Sequence, residues 1–163
     1  MMTRLASFKL AAVCCCFLAL AACSKKNTPD LDAGTSSAKP GSQQDFTLNV
    51  GDRVYFSEDQ SALTPEAEET LRKQAQWLQQ YGSVTVQIEG HADERGTREY
   101  NIALSARRAT ATREFLIAQG VNGSRISSIA YGKERPVALC DAEQCWSQNR
   151  RAVTVITGGA KTS

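Results

Sequence analysis

The 163-residue chain has a single histidine, His91, and only 7% aromatic residues. A catalytic zinc site takes several nitrogen, sulfur or oxygen ligands, and a single histidine supplies only one of them. We therefore expect neither a bound metal nor zinc-dependent hydrolysis. The chain also lacks a long hydrophobic run. Its main apolar stretch, Leu10 to Leu20, is too short to cross a bilayer as a stable anchor.

That apolar stretch has the layout of an export signal. Arg4 and Lys9 precede it, and small residues follow it, which is typical of a secretory signal peptide. It ends in the letters LAAC at residues 20–23, which resemble a bacterial lipobox, where cleavage before the cysteine is coupled to lipid attachment on its thiol. We therefore predict a lipoprotein-type signal over residues 1–22 and a covalent lipid on Cys23, with no other cofactor.

The mature chain has no excess of either charge. The sequence contains 19 basic and 17 acidic residues, and the signal removes two basic residues and no acidic ones, which leaves 19 − 2 = 17 against 17. Nucleic-acid binding relies on a basic excess that neutralises phosphates. We therefore exclude DNA and RNA as partners. The remaining length is sufficient for one domain with its own core.

Residues 23–44 contain almost nothing that can form a core. Leu31 is the only large apolar side chain after Cys23 in this segment, which has no aromatic residue. Such a composition predicts a flexible tether. With Ser24 directly after the predicted lipidation site, the chain resembles lipoproteins that are sorted to the outer membrane. We expect the tether to be anchored there, with the protein facing the periplasm.

Two cysteines remain for a bridge. Cys14 to Cys16 leave with the signal and Cys23 takes lipid, so Cys140 and Cys145 are left in an oxidising periplasm, and we predict that they pair. Five helical steps would hold their Cα atoms about 7.5 Å apart, beyond the roughly 4.4–6.8 Å that disulfides span. The pairing therefore requires a turn at residues 141–144.

The rest of the chain alternates strand and helix patterns. Apolar residues alternate over 46–50, and the mainly apolar run at 53–56 follows Gly51-Asp52, which together predict a β-hairpin at the start of the domain. The further elements, in chain order, are a helix from Thr64-Pro65 to about Gln80, a strand at 84–89, a helix from Gly96-Thr97 to about Gln119, strands at 126–131 and 152–156, and between them a short helix near Trp146. We predict one two-layer α/β domain over residues 45–158 and a tail over 159–163.

A polar stripe lies on the second long helix. Asn101, Ser105 and Arg108 are spaced i, i+4 and i+7, with Leu104 beside them. A solvated helix face is the ordinary explanation of such a stripe. Asp93, however, follows a strand at its carboxyl end, where α/β sheets commonly bind ligands. An acid and an arginine on rigid elements suit a zwitterionic amino acid, which favours a binding site.

Four motifs carry a family resemblance. The segments GHADERG at 90–96, NIALSARRA at 101–109, SIAYGKERP at 128–136 and NRRAV at 149–153 resemble the OmpA-like peptidoglycan-binding family, over about residues 50–156. The resemblance implies an OmpA-like α/β sandwich with a mixed β-sheet, two long helices and a short one. It also implies a non-enzymatic protein whose ligand is the diaminopimelate-bearing stem peptide of peptidoglycan and which links the outer membrane to the wall.

The same resemblance assigns roles to residues. Asp93 would accept hydrogen bonds from the ammonium or amide groups of the ligand, and Arg108 would clamp a carboxylate through its planar guanidinium. Asp59 matches an acid near the ligand, although Ser57 and Glu58 depart from the usual letters there. The rest of the binding pattern is matched by Asn101, Leu104 and Ser105. Lipoproteins of this family also bind the periplasmic protein TolB through an overlapping surface, so we expect the Tol complex as partner.

The alternative is an enzyme. A lipoprotein cell-wall peptidase of the cysteine class would use Cys140 or Cys145 as nucleophile and His91 as base. Neither thiol lies in a sequence context that resembles a cysteine peptidase, and a paired thiol cannot attack. We expect His91 to pack and to hydrogen-bond beside the site instead.

Overall fold

The computed structural model describes residues 38–162. The predicted signal peptide, Cys23 and the tether up to residue 37 lie outside the described residues. Among the helices of residues 38–162, none has both the length and the apolarity needed to span a bilayer.

A four-stranded mixed sheet forms one layer. Its strands are β1 (Arg53–Tyr55), β2 (Thr85–Gly90), β3 (Ile126–Ala130) and β4 (Arg151–Gly158). They lie in the order β1-β4-β2-β3, with β4 antiparallel to both of its neighbours and β2 parallel to β3. The predicted α/β architecture is confirmed.

Two long helices form the second layer. The helix α2 (Pro65–Gln80) begins where predicted, because the Thr64 side chain accepts a hydrogen bond from the Ala67 amide and proline occupies the first turn. The helix α3 (Arg98–Ala118) has Thr97 in the same capping role. Their apolar sides meet the sheet in a single core, which includes Leu71, Leu78, Leu116, Val86 and Ile88.

The close approach of β2 to α3 fixes the position of the site. A Cβ atom at Gly90, the last residue of β2, would overlap the carbonyl of Ser105 on α3. Only glycine lets the two backbones come so near. The end of β2 therefore delivers the residues that follow it directly to the polar side of α3.

The predicted hairpin is wrong in its first half. Residues 43–50 are helical, as a short helix α1 (Gln43–Asp45) that continues into a π-helical turn (Phe46–Val50). Phe46 is buried against Trp77, with ring centroids 4.9 Å apart, whereas Leu48 is 63% exposed. The local alternation of apolar residues favoured a strand. The packing of Phe46 on Trp77 and the cap supplied by Ser42 stabilise a helix there instead. Of the predicted hairpin, only residues 53–55 form a strand.

The folded unit is also longer than predicted. The Lys161 amide donates to the Gly41 carbonyl at 3.0 Å, and Lys39 Nζ donates to the Thr162 carbonyl at 3.0 Å. Ser42 is fully buried. The end of the predicted tether, residues 38–44, and residues 159–162 of the predicted tail thus pack on the domain. Polar residues that fold through backbone hydrogen bonds leave no hydrophobic pattern to detect.

Candidate functional site

A cleft of about 300 Å³ opens where β2 ends and α3 begins. It is lined by Glu58, Asp59, Asp93, Arg95, Gly96, Tyr100, Asn101 and Leu104. Four of the six predicted ligand residues therefore meet in one cleft. The other two, Ser105 and Arg108, are buried and are not among its lining residues.

Asp93 is the most enclosed acid of the cleft, with 7% of its surface exposed. Arg95 Nη2 donates to Asp93 Oδ2 at 2.7 Å, and the Arg95 amide donates to Oδ1 at 3.2 Å. Arg150 Nη1 approaches Oδ2 at 3.4 Å. Burial raises the pKa of Asp93, but these hydrogen bonds outweigh it and hold the pKa below its ordinary value. Asp93 is therefore a carboxylate at neutral pH.

Arg95 is the one basic residue of the described chain that lines the cleft, and the sequence analysis did not assign it to the site. Its side chain is one-third exposed, and it bridges two acids, because Nη1 also donates to Glu58 Oε1 at 2.7 Å. The hydrogen bond to Asp93 raises the pKa of Arg95, so the guanidinium stays charged. Its place two residues after Asp93 in the DERG motif was the available signal. The polar stripe on α3 predicted Arg108 as the cation of the site instead.

Asp59 and Tyr100 form a second pair at the cleft. The Tyr100 hydroxyl donates to the Asp59 carboxylate, which raises the pKa of Tyr100. Asp59 has φ of +54°, a left-handed conformation that non-glycine residues adopt infrequently. The loop before α2 thus turns tightly to bring an acid against the start of α3.

The polar stripe of α3 is buried, so the interpretation as a solvated face is wrong. Asn101 is 1% exposed and donates from Nδ2 to the Arg95 carbonyl at 2.7 Å. The hydroxyl of Ser105, also buried, accepts from the Gly132 amide at 2.9 Å. Both side chains hold loops against α3. The stripe shapes the cleft by satisfying backbone groups of the loops around it.

Arg108 lies deeper than predicted. It is fully buried, and its guanidinium donates to the carbonyls of Gln60 at 2.8 Å, His91 at 2.9 Å and Ser57 at 3.2 Å. Burial lowers the pKa of Arg108 to about 10, so it is still charged at neutral pH. Arg108 thus joins the loop that carries Asp59 to the segment that carries Asp93. Its predicted contact with a ligand carboxylate stays a prediction.

His91 packs as expected but does not hydrogen-bond as expected. It is 2% exposed and lies 5.6 Å from Tyr131, centroid to centroid. Within residues 38–162, neither ring nitrogen has a hydrogen-bond partner. Burial, together with the charges of the nearby Arg151 and Arg135, lowers the pKa of His91 from its ordinary value to about 4. The ring is therefore neutral under ordinary conditions.

Cys140 and Cys145 are joined in a disulfide, with their Cα atoms 5.6 Å apart. The helix α4 (Glu143–Asn149) already includes Cys145, so the turn between the two cysteines covers residues 141 and 142 only. This is shorter than the predicted turn. Neither sulfur is a free thiol, as the peptidase alternative would require. Among the described residues, no group of three or more histidine, cysteine or acidic side chains could hold a metal.

The charges of the cleft suit a ligand with a cationic group. Three carboxylates, Glu58, Asp59 and Asp93, line the cleft with one partly exposed guanidinium, that of Arg95. The arrangement can accept hydrogen bonds from an ammonium group and donate others to a carboxylate close to it.

Comparison with known proteins places this arrangement in a family. The model of the OmpA family matches residues 55–151. The chain is 60% identical over 149 residues to the peptidoglycan-associated lipoprotein of Brucella melitensis, covering 88% of this chain and 89% of that protein. It is 59% identical over 147 residues to the protein of the same name from Agrobacterium fabrum, covering 86% and 83%.

Solved structures agree with this result. The crystal structure of the peptidoglycan-associated lipoprotein from Burkholderia pseudomallei superposes with a TM-score of 0.67 at 36% identity, over 70% of this chain and 98% of that one. The C-terminal domain of Helicobacter pylori MotB, at 23% identity and a TM-score of 0.62 over 66% and 84% of the two chains, shares the fold. The two curated relatives and the Burkholderia protein are all named peptidoglycan-associated lipoproteins. The chain belongs to the OmpA family and, within it, to these non-enzymatic lipoproteins.

Proposed function

We propose that this protein is an outer-membrane lipoprotein that binds peptidoglycan non-covalently, through the diaminopimelate of the stem peptide, and so links the membrane to the wall. The observation that supports the proposal best is the pair of Asp93 and Arg95. Asp93 is nearly buried yet ionised, and Arg95 beside it is one-third exposed in the same cleft. A fixed acid next to an accessible guanidinium matches an amino acid that carries both charges.

The free end of diaminopimelate has an ammonium and a carboxylate on one carbon. In our proposal, Asp93 and Asp59 accept hydrogen bonds from the ammonium. Arg95 gives the carboxylate a fork of donors once it releases Glu58, whose side chain is 65% exposed. Each such charge-assisted bond contributes about 1.5–3 kcal/mol. Asn101 and Leu104 line the cleft and complete the contact.

Arg108 has a distinct part in the proposal. A guanidinium has five N–H donors, and three hydrogen bonds to carbonyls leave two. The Asp93 carboxylate attracts the Arg108 guanidinium and so raises the pKa of Arg108, against the effect of burial. We propose that Arg108 mainly holds the two cleft loops together, with Ser105 in the same role, and that its remaining donors reach a ligand carboxylate after the loop at Ser57 moves.

The lipid and the tether explain why the contact with the wall can be modest. Acyl chains on Cys23, at about 0.8 kcal/mol per buried CH₂, would make the membrane attachment effectively permanent. The tether would then keep the cleft at a high local concentration near the wall. The attachment would support envelope integrity and cell division as part of the Tol–Pal system.

Co-sedimentation with purified diaminopimelate-type peptidoglycan tests the proposal. The protein is residues 23–163 with Cys23→Ser, compared with the variants Asp93→Ala and Arg95→Ala. A matched control is Arg72→Ala, which removes an arginine from exposed ion pairs on α2. We expect pelleting to be lost in the first two variants and kept in the control. Equal pelleting of all four proteins would refute the cleft as the binding site, and release of soluble muropeptides would instead support the peptidase.

A second experiment addresses the partner. If TolB and peptidoglycan use overlapping surfaces, a soluble stem peptide should displace TolB from the protein in a competition titration. Fully additive binding of the two would show that the surfaces are separate.

A further inference from the structure

The short helix α4 supports the loop that carries Asp93 and Arg95. The Arg95 guanidinium carbon lies 4.2 Å from the centroid of the Trp146 ring, within the range of a cation–π contact. The same indole donates from Nε1 to Glu94 Oε1 at 2.9 Å. One side chain of α4 thus holds two consecutive residues of the cleft loop, and one of these is the accessible cation of the site.

Both ends of α4 are also connected to Asp93. Arg150, directly after the helix, donates from Nη1 to Asp93 Oδ2 at 3.4 Å and to Glu143 Oε2 at 3.2 Å. Glu143 is the first residue of the helix. Arg150 is 5% exposed and is further fixed by a hydrogen bond from Nε to the Phe56 carbonyl at 3.1 Å. A shift of α4 would therefore move the partners of Asp93 and Arg95 together.

The helix has little stability of its own. It has seven residues, far fewer than an isolated helix needs in water. Its N-cap residue, Ala142, makes no side-chain hydrogen bond, and alanine is a poor residue at that position. The disulfide from Cys140 to Cys145 spans this uncapped first turn. The covalent bond holds the backbone where a capping side chain is missing.

We propose that Trp146 is a positioning residue for Arg95, and that the Cys140–Cys145 disulfide keeps Trp146 in place by fixing the first turn of α4. Opening the disulfide then weakens ligand binding without unfolding the domain. This inference rests on the proposed function, because it concerns the same cleft. A dithiol reductant opens the bond by exchange: two cysteine thiols form while the dithiol closes to its own disulfide.

The test uses residues 23–163 with Cys23→Ser, in which Cys140 and Cys145 are the only cysteines. Calorimetric titration with a soluble diaminopimelate-containing stem peptide compares the oxidised protein, the dithiol-reduced protein and Trp146→Ala. We expect the Kd to rise roughly threefold to tenfold on reduction and in Trp146→Ala, since a cation–π contact is lost or loosened. In Trp146→Phe, which keeps an aromatic ring beside Arg95, the rise should be about twofold.

The most decisive measurement is the coupling between the disulfide and Trp146 in their effects on the Kd. If the disulfide acts through Trp146, reduction should change the Kd of Trp146→Ala very little, so the two effects are not additive. Reduction should also alter the fluorescence of Trp146, measured as the difference between wild type and Trp146→Phe, while far-ultraviolet circular dichroism stays native. Fully additive effects on the Kd, or an unchanged Kd after reduction, would overturn the inference.

Asp93→Ala, measured in the same series, separates the two proposals. Loss of binding in Asp93→Ala with no effect of reduction or of Trp146→Ala would refute only the role of α4. Unchanged binding in Asp93→Ala would refute the cleft itself. If Trp146→Ala unfolds, the reduced wild type and Trp146→Phe still decide the result.

Discussion

Two aspartates, Asp45 and Asp93, are almost equally buried, with 9% and 7% of their surfaces exposed, but their surroundings differ. Asp45 accepts hydrogen bonds from the Gly41 amide at 2.8 Å, Trp77 Nε1 at 2.9 Å and Asn49 Nδ2 at 2.8 Å, all neutral donors. Asp93 is bound mainly by the guanidinium groups of two arginines, which also bind other acids.

The difference shows that burial of a carboxylate does not by itself mark a binding site. Burial raises the pKa of both aspartates and hydrogen bonds lower it more, so both are ionised. The donors around Asp45 lie just before α1, in the π-helical turn and on α2, and within residues 38–162 none of them has another acceptor. The arginines around Asp93 are shared with Glu58 and Glu143, so a ligand can compete for them. Asp45 therefore stabilises the fold, whereas in the proposed function the arginines of Asp93 are available to a ligand.

The largest effect that we predict is on stability, at Asp45. Asp45→Ala leaves the Gly41 amide and Trp77 Nε1 without an acceptor, so the free energy of unfolding should fall by about 2–4 kcal/mol. Urea denaturation measures this change. The Kd for the stem peptide should stay at the wild-type value while the protein is folded. A clear loss of affinity would show that the two aspartates are not independent.

His91 should make stability depend on pH. Its pKa is about 4 in the folded chain and 6.5 ordinarily, so between these values the unfolded chain binds a proton that the folded chain does not. The free energy of unfolding should therefore fall by about 3 kcal/mol as pH drops from 6.5 to 4. The chain has no other histidine, so His91→Phe should remove the slope between about pH 5 and 6.5, above the range in which carboxylates titrate, and a retained slope there would contradict the assignment.

Asp93→Asn should have the opposite pattern to Asp45→Ala, with a clear loss of ligand affinity and a smaller loss of stability. The amide keeps an oxygen that accepts from Arg95 but loses the charge, so affinity for the stem peptide should fall about tenfold. The loss of stability should be smaller than in Asp45→Ala. Because the pKa of Asp93 is lowered, its contribution to stability is present above its ordinary pKa and is lost only as pH falls through the lower folded value. Its part in binding should not change between pH 5 and 8.

The smallest effect should come from Glu58. This acid is 65% exposed and competes for Arg95, and exposed ion pairs contribute little. Glu58→Gln should leave stability unchanged and lower the Kd for the stem peptide by no more than about threefold. A loss of affinity instead would mean that Glu58 contacts the ligand directly.

Local signals predicted most of the secondary structure. Thr64 with Pro65 and Thr97 with Gly96 marked the starts of α2 and α3, because capping depends on a few adjacent residues. The alternation at residues 84–89 identified β2 for a similar reason. The same alternation at residues 46–50 gave a wrong strand. There, Phe46 enters the core beside Trp77, 31 residues further along the chain, and no local pattern contains that contact.

The sequence by itself determined the class of fold, the helix starts, the cysteine pair and the acid at the end of β2, since each follows from neighbouring residues or a contiguous motif. Only the tertiary structure decided that the polar stripe of α3 is buried, that Arg108 binds three loop carbonyls and that Arg95 is the accessible cation of the cleft. Exposure and charge pairing depend on which loops meet across the end of the sheet. Residues far apart in the chain make those contacts, so spacing along one helix could not reveal them.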